Sequence, residues 1–73
     1  MANYVIDLLW DNEASVWVAT SEDVPGLVLE SGSLDVLMER VKHAVPELLE
    51  LNGIQNKKLS MRLKSERIVQ VGA

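Results

Sequence analysis

Trp10-Asp11-Asn12-Glu13-Ala14-Ser15-Val16-Trp17-Val18-Ala19-Thr20-Ser21-Glu22-Asp23-Val24-Pro25-Gly26-Leu27 reads as strand, tight loop, strand, then a corner into a third strand. Ser15 to Ser21 is rich in Val, Trp and Thr, which suit a pleated surface. Upstream, Tyr4 to Trp10 alternates imperfectly and is bounded by Asp11-Asn12. Asp11 to Ala14 is expected to form the hairpin loop, with Asn12 tolerant of unusual backbone angles. That loop pairs Trp10 with Ser15, Leu8 with Trp17 and Ile6 with Ala19. One sheet face then carries Tyr4, Ile6, Leu8, Trp10, Trp17 and Ala19, the bulkier set and the expected core. The other carries Val5, Asp7, Leu9, Val16, Val18 and Thr20, which is mostly apolar for a face turned to water. A loop one residue longer would regroup the pairs.

Pro25-Gly26 fits the centre of a type II turn, because proline presets its backbone angle and glycine accepts a positive one. Leu27 to Ser31 follows as a short third strand. Ser33 is the expected N-cap of a helix, with Asp35 in its positively polarised first turn. Leu34, Leu37, Met38, Val41, Ala44, Val45 and Leu48 recur at helical spacing as one apolar stripe. Pro46 interrupts that pattern. It frees the carbonyl of Lys42 and is expected to kink the helix or start a new turn. Asn52-Gly53 is a stop signal. From Lys58 to Lys64, Leu59, Met61 and Leu63 alternate with Ser60, Arg62 and Lys64 as a last strand. The expected fold is α+β, in the order β-β-β-α-β, an antiparallel sheet with one helix packed on one face. No repeat or linker divides residues 1–73.

The chain of 73 residues can bury only a thin core. It contains no cysteine and one histidine, so neither disulfides nor a Cys-His metal set can staple it. Good packing or oligomerisation must serve instead. The lack of cysteine suits a reducing cytoplasm. The N-terminus lacks the basic start of a signal peptide, and no stretch is long enough to span a bilayer. Charge is unevenly placed: residues 1–52 hold ten acids and two bases, net −8, whereas residues 53–73 hold one acid and five bases, net +4. An acidic region disfavours phosphate backbones and favours a basic partner. The plainer reading is a solvated surface with a slightly basic last strand.

The motif from Trp10 to Leu27, together with Pro46-Glu47-Leu48-Leu49-Glu50-Leu51-Asn52, resembles a short bacterial domain family of unknown function. That family is grouped with the N-terminal domain of HicB-like antitoxins. The resemblance runs from Tyr4 to about Lys64. It implies a partial RNase H-like fold: three antiparallel strands, a helix across them and a fourth strand joining the sheet. It also implies a module that binds a small basic RNase toxin. Members of the superfamily usually carry a DNA-binding segment after the fourth strand. Here Ser65 to Ala73 is too short for one, so residues 65–73 are taken as an extension without a DNA-binding domain.

An RNase H-like kinship raises the prospect of a nuclease. Two-metal cleavage needs several carboxylates converging on ions roughly 4 Å apart. Asp7 lies mid-strand, but Asp11 and Glu13 fall in the hairpin loop, Asp23 at the corner and Glu30 at a strand end. Asp7 reads more simply as a residual acid. His43, flanked four positions away by Glu39 and Glu47, reads more simply as a solvated ridge than as a metal set. Trp10 and Trp17 could stack bases, but with Tyr4 the only other aromatic, Trp17 is expected in the core. No catalytic residue, metal or cofactor is assigned.

The expectation is a cytoplasmic, non-enzymatic protein-binding module. Glu22 and Asp23 at the corner and Glu39, Glu47 and Glu50 on the helix are the candidate contacts to a basic toxin-type protein. Val5, Leu9, Val16 and Val18 are the candidate dimer face, because two such faces, or two edge strands, can satisfy each other by twofold pairing. The chain alone is not expected to bind DNA or membranes. The alternatives are a homodimeric regulatory module with no toxin partner and a degenerate RNase H-like nuclease.

Overall fold

A computed structural model describes residues 2–55 and 58–72; Lys57 of the basic C-terminal stretch lies outside them. The elements are β1 (Ala2–Asp11), β2 (Val16–Thr20), β3 (Val28–Ser31), α1 (Leu34–Leu51) and β4 (Leu59–Glu66). The order β-β-β-α-β and the α+β class are those expected from the sequence. The sheet runs β3-β2-β1-β4. Both β1–β2 and β2–β3 are antiparallel, but β4 lies parallel to β1. The sheet is therefore mixed, not antiparallel throughout. The reason is the crossover: α1 carries the chain back across the sheet, so β4 re-enters in the direction of β1.

The hairpin loop sits one residue later than expected, over Asn12–Ser15. Asp11 remains in the ladder, and its Oδ1 accepts from the Glu13 and Ala14 amides at 2.9 and 3.2 Å. Ser15, not Asn12, takes the positive φ, at 55°. Trp10 consequently pairs with Trp17 and Leu8 with Ala19, in place of Ser15 and Trp17. Moving both ends of the loop together shifts the register by two residues, so each side chain keeps its face. Ile6, Leu8 and Ala19 accordingly lie in the core with Val24, Leu27, Leu37, Val41, Val45 and Leu49.

The corner after β2 substitutes side chains for a missing strand. Extending the β1–β2 ladder would bring Glu22 opposite Val5, but the chain has already turned away. Ser21 Oγ donates to the Val5 carbonyl at 2.6 Å, and Asp23 Oδ2 accepts from the Val5 amide at 2.8 Å. Ser21 Oγ also accepts from the amides of Asp23 and Val24. The turn that follows closes with the Leu27 amide donating to the Val24 carbonyl at 3.3 Å, and Gly26 sits at φ 85°. This is the type II arrangement that Pro25-Gly26 prescribes, and it delivers Val24 and Leu27 into the core.

Helix α1 starts as expected: Ser33 Oγ accepts from the Val36 amide, and Asp35 lies in the first turn. Leu37, Val41, Val45 and Leu49 form its buried line. The helix closes in a Schellman arrangement, with the Gly53 amide on the Glu50 carbonyl and the Ile54 amide on that of Leu49. Pro46 neither divides the helix nor starts a new one; α1 is continuous across it, with the ring exposed to solvent. The surrounding turns and the burial of the neighbouring Val45 and Leu49 hold the segment helical despite the lost bond.

Two outcomes follow for stability. Asp23→Ala leaves the Val5 amide without its partner and should lower stability by about 1–2 kcal/mol in a urea melt; an unchanged midpoint would show that water replaces the carboxylate without loss. Pro46→Ala restores a helical donor at an exposed site and should raise stability by about 1–3 kcal/mol in the same assay.

Candidate protein-binding surfaces

Three surfaces are open to a partner. The first is the outer ridge of α1. Asp35, Glu39, His43 and Glu47 follow one another four residues apart, about 200° around the helix from the buried line, and all are exposed. The ridge ends at Leu51, which is 82% exposed. Glu39 also pairs with Lys42 Nζ at 3.2 Å, a surface contact of little energetic weight. Glu50 is exposed beside the ridge.

The second surface is the corner. Glu22 and Asp23 are both exposed, but Asp23 is already engaged by the Val5 amide, which fixes its carboxylate in place. A Cβ built on Gly26 would stand 3.6 Å from Leu48, so the corner neighbours the C-terminal half of α1. Glu22 and Asp23 thus lie toward the Glu47 and Glu50 end of the helix. Glu39 lies at the other end, where Arg40 donates to the Glu30 carbonyl of β3 at 2.8 Å.

The third surface is the sheet face away from α1. Val5, Leu9, Val16 and Val18 all lie on it, because pairing partners share a face and their parity differs from that of Ile6, Leu8, Trp17 and Ala19. Leu9 is 48% exposed and Val5, Val16 and Val18 are half-buried. The ladders add Val28 and Glu30 from β3, and Arg62, Lys64 and Glu66 from β4. Asp7 sits here between Thr20 and Lys64. Val28, at 71% exposure, was not expected on this face; its parity with Thr20 was the available signal.

Among the described residues, no group of three or more His, Cys, Asp or Glu side chains is placed to hold a metal ion. No helix among them is long and apolar enough to cross a membrane. Trp10 and Trp17 stack edge to face on the helix side, with centroids 5.5 Å apart and planes at 66°. Trp17 packs against the core while remaining half-buried. The Arg67 guanidinium lies 4.0 Å from the Trp10 ring centroid, covering the ring that a nucleobase would use. Beyond it, Leu9, Trp10, Asn12, Glu66 and Ile68 line an open groove of about 410 Å³.

The profile of a domain family of unknown function, DUF1902, matches residues 3–71. A solved structure, that of the hypothetical protein TTHA1013 from the extreme thermophile Thermus thermophilus, is similar over 94% of this chain and 99% of its own. It shares 41% sequence identity and superposes with a TM-score of 0.82. No curated protein matches the chain.

Trp17 is the residue whose burial separates a structural from a binding role. Trp17→Ala should cost about 3 kcal/mol, the lower end for a large aromatic because the ring is half-covered. A loss below about 1 kcal/mol in a denaturant melt would assign the ring to a binding surface.

Proposed function

The chain belongs to the DUF1902 family, and from that premise we propose that it is a small HicB-like, antitoxin-type module that binds and blocks a basic RNase-type toxin in the cytoplasm. The observation that carries this reading is the outer ridge of α1. Asp35, Glu39 and Glu47 line it, and an exposed apolar Leu51 ends it. An apolar anchor beside carboxylates matches a cationic protein surface better than a nucleic acid. The acids steer the encounter and repel phosphates, while the leucine gains from being buried. The net −8 of residues 1–52 supports the same choice of partner.

A second reading, a homodimeric regulatory module without a toxin, is favoured by the open sheet face with Val5, Leu9, Val16, Val18 and Val28. The nuclease reading has the least support. Asp7 has Thr20 and Lys64 as its ladder neighbours, not a second carboxylate, and a two-metal site needs several. The module is therefore read as a binder and not an enzyme.

Affinity capture from the native host at low and high salt tests the proposal. A small basic protein should be recovered, less of it at high salt, and a Glu39→Lys/Glu47→Lys double variant should lose it. Recovery of only acidic or neutral proteins, or salt-sensitive DNA binding by the pure chain, would sink the reading. Pure protein with Mg²⁺ or Mn²⁺ should leave RNA and an RNA–DNA hybrid intact. Cleavage abolished by Asp7→Asn would put the nuclease in its place.

A further inference from the structure

We propose that this protein forms a homodimer by antiparallel pairing of β4 and the segment after it with the same stretch of a second copy, centred on Ser65. The pairing goes beyond the toxin reading and does not depend on it.

The two edges of the sheet differ. β3 is blunted: it covers only Val28–Ser31 and is bounded by the Pro25-Gly26 turn and Gly32. β4 runs from Leu59 to Glu66, with β1 on one side and no further strand among the described residues on the other. A strand of that length leaves a row of backbone donors and acceptors facing solvent. Its apolar side is also incompletely covered. The closest approach of α1 is to β2 and β3, and Leu59, Met61 and Leu63 remain half-buried.

The chain continues past β4 as a segment suited to a strand but lacking one to join. Arg67-Ile68-Val69-Gln70-Val71 is rich in β-branched residues, yet Ile68, Val69 and Val71 are 78%, 66% and 93% exposed. The segment begins against the hairpin, with Arg67 over Trp10 and Ile68 lining a groove with Asn12, and lengthens the molecule along the strand direction. The longest dimension is 51 Å, whereas an 18-residue helix spans about 27 Å and a 10-residue strand about 34 Å. The radius of gyration, 13.7 Å, exceeds the about 11 Å of a compact chain of this length.

Folded about Ser65, the stretch Leu59–Val71 is largely complementary to itself. A twofold at Ser65 sets Lys64 of each copy opposite Glu66 of the other, on the open face of the sheet. It sets Leu59 opposite Val71, Met61 opposite Val69 and Ser60 opposite Gln70, while Leu63 meets Arg67 and Arg62 meets Ile68, where the long basic side chains lay their aliphatic stems along the apolar partner. Val69 and Val71 then extend the apolar surface beside Met61 and Leu59, on the helix side where α1 leaves it thin. Moving the twofold by one residue, to Lys64 or Glu66, sets that charge opposite its own copy. Moving it by two sets Lys64 opposite Arg62 when centred on Leu63, or Arg67 opposite its own copy when centred there. Opposite charges across a ladder stabilise and like charges oppose it, so the charges select the Ser65 register.

The absence of cysteine makes the register directly readable. Light scattering should give about twice the 8.1 kDa chain mass at micromolar concentration. Ser65→Cys should be trapped as a disulfide-linked dimer on mild oxidation, because residues facing each other across a ladder lie within disulfide reach. Val18→Cys, on the open face, should not. Lys64→Glu and Glu66→Lys should each weaken dimerisation about tenfold, and mixing the two single variants should restore it as a heterodimer. A native monomer at about 100 μM, or trapping at Val18→Cys in place of Ser65→Cys, would overturn the proposal. None of these measurements involves a toxin, so its failure is separable from that of the proposed function.

Discussion

Val5 is held on both of its backbone groups by the side chains of Ser21 and Asp23, and the rest of the fold hangs on that substitution. β1 is twice as long as β2, so part of it must find hydrogen bonds beyond the end of the hairpin. A longer β2 would supply them but would carry the chain away from the core. Ser21 and Asp23 supply them while the backbone turns. The same turn inserts Val24 and Leu27 beneath the helix and aims β3 back along β2. Hydrogen bonding and burial are thus satisfied by one short segment, which accounts for the density of the Ser-x-Asp-Val-Pro-Gly-Leu motif.

Much of this is legible in the sequence because the signals are local. Ser33 and Asp35 announce the helix start, Asn52-Gly53 its end, and Pro25-Gly26 the corner. Period-2 alternation sorts β1 and β2 onto their faces, and it does so even though the expected hairpin register is two residues off. That error comes from Asp11, whose side chain caps the loop and so keeps its backbone in the ladder. Whether a residue bounds a loop from inside or outside depends on such a hydrogen bond, which composition does not display. The direction of β4 is not legible for a different reason: it is fixed by a crossover between distant segments. Pro46 does not end the helix, since neighbouring turns and tertiary packing keep an exposed proline within it.

The binding surfaces divide in the same way. Parity alone brings Val5, Leu9, Val16 and Val18 onto one face. The candidate acids stand out by charge, and charge does not say where a side chain is engaged. Asp23 serves the fold, whereas Glu39 and Glu47 form a ridge with Asp35, His43 and Leu51 that helical spacing shows when it is traced on the polar side.

The parallel β1–β4 ladder has a consequence for how the molecule is made. Every pair in it joins residues 57 apart, as Ala2 and Leu59 are. The hairpin, the corner and the helix depend on short separations and can assemble early. The ladder must await β4, and closing so long a loop costs entropy before any contact rewards it. On a ribosome, the long strand β1 therefore emerges first and keeps one edge bare until β4 arrives. For that interval the nascent chain offers a template to any neighbouring strand, and chaperone occupancy of that edge should end when β4 docks.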